Sequence, residues 1–183
     1  MVLIFKFLII LSIFVFCQGS FFVIDPSKNA VWHNEQGLFF LELKYYGAAI
    51  NEFRLAIMLN PESEASATFY NNLGKAYYKI GDYDHAEASF QKAAQLKPYY
   101  IEYCENLIMV CKEKNTLYIL AKKYEQLIKN NGNNLQALLM LGLINKKYGN
   151  NKYALDFFRK FIFLAPDLRI SGEVKTFIKE LEK

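Results

Sequence analysis

The sequence predicts an all-α protein: a stack of about four helix pairs, closed at its C-terminal end by one further helix. Three observations carry this expectation. Glycine, alanine and aromatic residues return in a fixed frame along the chain, a proline or a glycine-asparagine turn follows each copy of that frame, and the last fifteen residues show an apolar stripe with helical period.

At 183 residues, 53% hydrophobic and 22% charged, the chain suits one folded domain with a sizeable core. Its 22 basic and 18 acidic residues give a net charge of +4 and are interleaved rather than blocked. No basic stripe offers itself to a phosphate backbone, which argues against nucleic acid as a partner.

Residues 1–19 read as an export signal: the single cation Lys6, the apolar run Phe7 to Phe16, then Cys17-Gln18-Gly19-Ser20 with small residues where a signal peptidase needs them. The run of ten is about half of the ~20 residues that a spanning helix requires, although Phe21-Phe22-Val23-Ile24 extend it. Cleavage, retention as an anchor and lipid attachment at Cys17 are the three fates weighed; the bulky Phe16 before Cys17 argues against the last. The expected location is therefore exported, periplasmic or membrane-associated, with secretion as the alternative. Residues 20–29 read as a short linker.

The frame is clearest from Tyr70 to Ala86, where Leu73-Gly74, Tyr77, Gly81 and Ala86 are followed by Phe90, Ala93 and Pro98. This stretch resembles the tetratricopeptide repeat, whose period is 34 residues. Twice that period onward stand Leu141-Gly142, Gly149, Ala154, Phe158 and Pro166. Upstream, Gly37, Phe40, Ala49, Phe53, Ala56 and Pro61 keep the frame at a shift of 37, so three residues are inserted near Glu64. Between the two clear copies, Leu107, Leu120, Tyr124 and Leu127 hold the apolar positions of a degenerate repeat that ends at Asn131-Gly132-Asn133-Asn134. The repeats are expected at about 30–63, 67–100, 101–134 and 135–168, and the resemblance implies a right-handed superhelical stack over residues 30–168.

Physical chemistry accounts for the frame. Gly74 and Ala86 lack bulk, so paired helices can approach closely while Tyr77 and Phe90 fill the space alongside. Pro61, Pro98 and Pro166 stop the second helix of a pair, because proline supplies no amide donor and restricts the residue before it. Such stacks need a polar cap. Residues 169–183 provide one: Ser171 is placed to begin a helix, Ile170, Val174, Phe177, Ile178 and Leu181 form its apolar stripe, and Glu173, Lys175, Lys179, Glu180, Glu182 and Lys183 face water.

No catalytic set, metal site or cofactor is expected. The run Asp82-Tyr83-Asp84-His85-Ala86-Glu87 mixes carboxylates with an imidazole, yet it falls where a second helix begins and acids favour a helix N-terminus. The two histidines, His33 and His85, stand in different repeats, and no nucleophile elbow or phosphate loop occurs. Cys104 and Cys111, seven apart on one helix, are about 10.5 Å apart in rise, beyond the reach of a disulfide; both read as core residues.

The resemblance implies a concave surface, lined by the first helix of each pair, that holds a protein or peptide partner. The frame assigns to it Asn34 and Leu38 from the first repeat and Asn71, Lys75 and Tyr78 from the second. Glu105, Met109 and Lys112 follow from the third, and Leu139, Leu143 and Lys146 from the fourth. Some tetratricopeptide domains clamp a chaperone's C-terminal carboxylate. Here Asn34, Leu38, Glu102 and Asn106 occupy positions of that clamp other than Asn72, and Glu102 would repel the carboxylate. The function expected is an extracytoplasmic adaptor or scaffold. The alternatives are self-association through Leu139 and Leu143 as a homo-oligomer, or an accessory factor in outer-membrane assembly.

Overall fold

The computed structural model describes residues 26–183, so the leader expected over residues 1–19 lies outside the described residues. Among them are nine helices and no strand: α1 Pro26–Glu42, α2 Tyr46–Leu59, α3 Glu64–Lys79, α4 Tyr83–Leu96, α5 Ile101–Glu113, α6 Leu117–Asn130, α7 Leu135–Tyr148, α8 Asn151–Leu164 and α9 Ser171–Leu181. Helices α1 to α8 form four consecutive pairs and α9 packs on the last of them. Pro26 to Asn29, read from sequence as linker, are already helical. The three-residue insertion becomes most of an extra turn at the start of α3, begun by Ser63, whose hydroxyl and that of Ser66 cap each other's backbone amides.

Each pair turns in the same way. A residue in the left-handed region stands seven positions after the frame glycine, at Lys44 (φ 64), Gly81 (φ 79), Asn115 (φ 57) and Gly149 (φ 75). The amide one residue later then donates to the carbonyl five residues before it: Tyr45 to Phe40 at 2.9 Å, Asp82 to Tyr77 at 3.0 Å, Thr116 to Cys111 at 2.8 Å and Asn150 to Asn145 at 2.9 Å. These are Schellman closures, which satisfy carbonyls left over at a helix C-terminus. The second helices end with equal regularity. Leu59, Leu96 and Leu164 each close a helix two residues before a proline, and Asn130 does so two residues before Gly132.

The expected close approach of paired helices is present in three pairs. A Cβ built on Gly37, Gly74 or Gly142 would lie only 2.4, 2.7 or 2.4 Å from a ring carbon of Phe53, Phe90 or Phe158, respectively. Each of those rings is fully buried, so the glycine is required for contact rather than for backbone freedom. In the third pair the same positions hold Ile108 and Tyr124, Leu120 stands in place of the frame alanine, and α5 and α6 meet far less closely.

One core runs from α3 to α9 and includes Ala67, Phe90, Cys104, Leu107, Tyr124, Leu139, Phe158 and Val174. Two smaller clusters, around Phe53 and Phe69, join the first pair to the second. Val174 of α9 is buried while Glu173, Lys175, Lys179 and Glu180 face water, as a cap requires. Ser171 begins α9 as expected, though as its first residue and not as its side-chain cap. Ile170 stands at the N-cap position, and the buried Ser171 hydroxyl donates to the Ala165 carbonyl at 2.6 Å, tying α9 back to the end of α8.

Candidate partner-binding groove

The first helices of successive pairs are joined side by side by amide side chains. Asn72 donates its Nδ2 to Oδ1 of Asn34 at 2.9 Å, linking α3 to α1 in a buried contact. Asn106 donates in the same way to Asn71 at 2.8 Å, linking α5 to α3. Asn71 also donates to Glu102 at 3.3 Å, and the Lys75 ammonium donates to the same carboxylate at 2.6 Å. The structure thus ties Asn34 to Asn72 alone and joins Asn71 and Lys75 in a second set with Glu102 and Asn106; Asn34 and Asn71 are only 8% and 2% exposed. Glu102 stands beside Lys75 in a solvent-exposed pair, so a partner's carboxylate would meet a negative charge next to that ammonium.

Beyond these bonds, α5 and α7 part to leave a cleft of about 450 Å³. Ile108, Met109 and Leu143 supply its apolar lining, Glu105 and Asn106 one rim, and Lys146 and Lys147 the other. Glu105, Met109 and Lys146, assigned to the groove from the frame, line this cleft together. Leu143, 3% exposed, is part of the cleft's floor rather than an open surface, and Leu139, 0% exposed, is core. The physical reason is that α7 is buried over eight consecutive residues, Ala137 to Ile144, so no face of its central turns remains for solvent. Self-association through Leu139 and Leu143 loses its premise. The same run of apolar residues in the sequence carried the signal, since a helix apolar on all sides is a buried one.

Of the remaining candidates, Leu38 is exposed on α1 and Lys112 on α5, whereas Tyr78 is half-buried against Tyr83, with ring centroids 5.4 Å apart. Burial first, and then the charge of Glu113, pushes the Tyr78 phenol above its ordinary range. Lys146 is held by the Phe177 ring, 3.6 Å from its centroid, and by Glu180 at 3.3 Å, so α9 buttresses the cleft's basic rim. Sequence reasoning assigned neither Asn106 nor Lys147 to the groove, and it missed a second cavity of about 660 Å³ altogether. That cavity lies where the starts of α3, α5 and α9 meet, between Tyr99, Tyr100, Leu168 and Ile170, with Glu64 and Lys97 paired across it at 3.7 Å. Its walls come from loops between repeats, which the frame does not describe.

The mixed acid and imidazole run at residues 82–87 is spent on structure. Asp82 caps α4 by accepting from the His85 amide at 3.2 Å, and its carboxylate meets the His85 ring at 2.8 Å. The hydrogen bond from that ring, more than any other cause, holds the Asp82 carboxyl below its ordinary range. Asp84 and Glu87 grip Lys114 at 2.6 and 2.5 Å, raising the lysine well above its ordinary value and tying α4 to the end of α5. His33 is bonded to Glu52 at 2.6 Å within the first repeat.

The tetratricopeptide repeat matches residues 33–63 and 67–100, coinciding with the first two repeats read from the frame. The chain thus contains tetratricopeptide repeats. It is 31% identical over 112 residues to the uncharacterized protein ycf37 of Guillardia theta, a match covering 60% of this chain and 63% of that relative. It is 28% identical over 130 residues to the uncharacterized protein ycf37 of Pyropia yezoensis, covering 66% and 72%. The chain therefore spans less than two thirds of the Guillardia protein. A tetratricopeptide repeat protein from Parabacteroides merdae shares the fold with a TM-score of 0.51 at 17% identity, over 85% of this chain and 60% of that one.

Proposed function

We propose that this protein is an adaptor that holds a partner peptide or helix in its concave groove, outside the compartment of synthesis and at a membrane. The observation that carries the reading is the cleft between α5 and α7. An apolar floor is framed there by a carboxylate on one side and two lysines on the other, beside first helices already locked together by their own amides. Rigid walls lower the ordering cost of binding, and a small apolar recess receives the anchor residue of a partner. The placement at a membrane is supported by the apolar N-terminal run, which carries no charged residue from Phe7 to Ile24.

The structure alters which residues test the groove. Met109→Ala and Lys147→Ala, which alter the lining of the cleft, are combined with Lys112→Ala at the exposed position three residues on from Met109. The tagged full-length chain is crosslinked gently in membrane fractions, and its co-purifying proteins are compared with those of the triple variant. Loss of a specific partner from a variant with unchanged helix content supports the groove. Retention of every partner by the variant moves binding to another surface and overturns this reading.

A further inference from the structure

Helix α1 has two unlike sides. Ala30, Asn34 and Gly37 are buried toward α2 and α3. On the other side Trp32, Phe39 and Leu43 are 53%, 54% and 48% exposed, and their spacings of seven and four residues place them in one stripe. Tyr45, 63% exposed, stands in the turn that follows α1. A preceding repeat would stack here, and repeat stacks expose apolar surface at an end without a cap. The opposite end of the stack has that cap in α9.

We propose that this stripe lies on a lipid bilayer, tethered by the apolar segment of residues 7–24; the inference rests on the membrane placement proposed above. The tether ends at Ile24, and Trp32 follows only six residues after Pro26, about 9 Å of helical rise. Between Phe7 and Ile24 no charged residue interrupts the segment. A protein surface laid along such a segment would cover one side and leave the rest in water, whereas hydrocarbon covers it all around. Tryptophan and tyrosine are the residues that settle where lipid meets water, and here Trp32 begins the stripe and Tyr45 stands in the turn after it. Glu35 and Glu42 along its flank are matched in number by Lys28 and Lys44, so zwitterionic lipid suffices.

Trp32 is the single tryptophan of the chain, so its emission reports on this stripe alone. The full-length protein is reconstituted into phosphatidylcholine vesicles, floated on a density gradient, and titrated with phosphatidylcholine brominated near the headgroup. The expected result is flotation, blue-shifted emission and roughly twofold quenching, as for an aromatic ring at the headgroup boundary. In the Phe39→Glu, Leu43→Glu double variant, flotation persists and the lipid quenching falls away, with helix content unchanged. Flotation with Trp32 open to aqueous iodide and blind to brominated lipid overturns the inference and leaves the tether standing. Blue-shifted emission without lipid quenching also overturns it, by showing that the N-terminal segment or a second copy covers the stripe. Failure to float overturns both readings.

Discussion

In the second pair Gly74 lies beneath the Phe90 ring with no room for a single added carbon, while in the third pair Ile108 and Tyr124 occupy the same two positions and α5 and α6 stand apart. Yet both pairs close with the same left-handed residue and the same backbone bond across the turn, at Gly81 and at Asn115. The difference separates two requirements that a repeat usually satisfies together. Turn geometry is a backbone property that glycine and asparagine both meet. Close helix approach is a volume property, and one bulky side chain in each helix is enough to abandon it. The third pair replaces the lost contact with buried Cys104, Cys111 and Tyr124, which join the long core instead.

Exchanging the two solutions gives the largest expected effect. Gly74→Ile forces a branched side chain into the fully buried Phe90 ring and should cost about 3 kcal/mol through overpacking. Ile108→Gly empties a well-filled site and should cost a similar amount, about 3 kcal/mol or more, through cavity formation and lost helix propensity. Urea unfolding midpoints measure both. A Gly74→Ile protein as stable as the parent would show that the pair can relax into the open arrangement of its neighbour.

Alkali should sharpen the contrast. Burial pushes the thiols of Cys104 and Cys111 from the ordinary 9.0 to about 12, and burial likewise raises the Tyr124 phenol from 10.0 to about 12. All three favour the neutral form in the folded state. Their contribution to stability is complete below the unfolded values and is lost as pH climbs from 9 toward 12. Thiol alkylation and far-ultraviolet circular dichroism, followed together across that window, should report opening of the third pair first. A Cys104→Ala, Cys111→Ala protein with an unchanged alkaline midpoint would remove the thiols from this account.

The smallest effect lies at the first turn, where Lys44 adopts the left-handed conformation that Gly81 and Gly149 adopt elsewhere. Lys44→Gly relieves a strain of about 1 kcal/mol, offset in part by the greater freedom of glycine in the unfolded chain. A rise in thermal midpoint of a few degrees is expected, and a fall would mean that the lysine side chain stabilises the turn in another way.

The repeat frame made the pairs, their turns and their proline stops legible before any coordinates, because each rests on local sequence at fixed distances. It placed Glu105, Met109 and Lys146 on one side of their helices, and the three line one cleft. It failed at Leu139, since exposure depends on what neighbouring helices cover, and α7 is enclosed on every side. The set of bonds through Asn72, Glu102 and Asn106 joins residues 27 to 38 positions apart. No single repeat contains it.

That set of bonds also has a mechanical meaning. Two amide bonds rivet α1 to α3 and α3 to α5, so the first three units bend together as one stiff arm. Among the described residues no such side-chain bond crosses from α5 to α7, and the cleft sits in that joint. The first helices are therefore bonded side chain to side chain before the cleft and held by apolar packing across it. A guest of the kind proposed above would meet one wall fastened by directional bonds and, across the joint, one whose fit is set by volume alone.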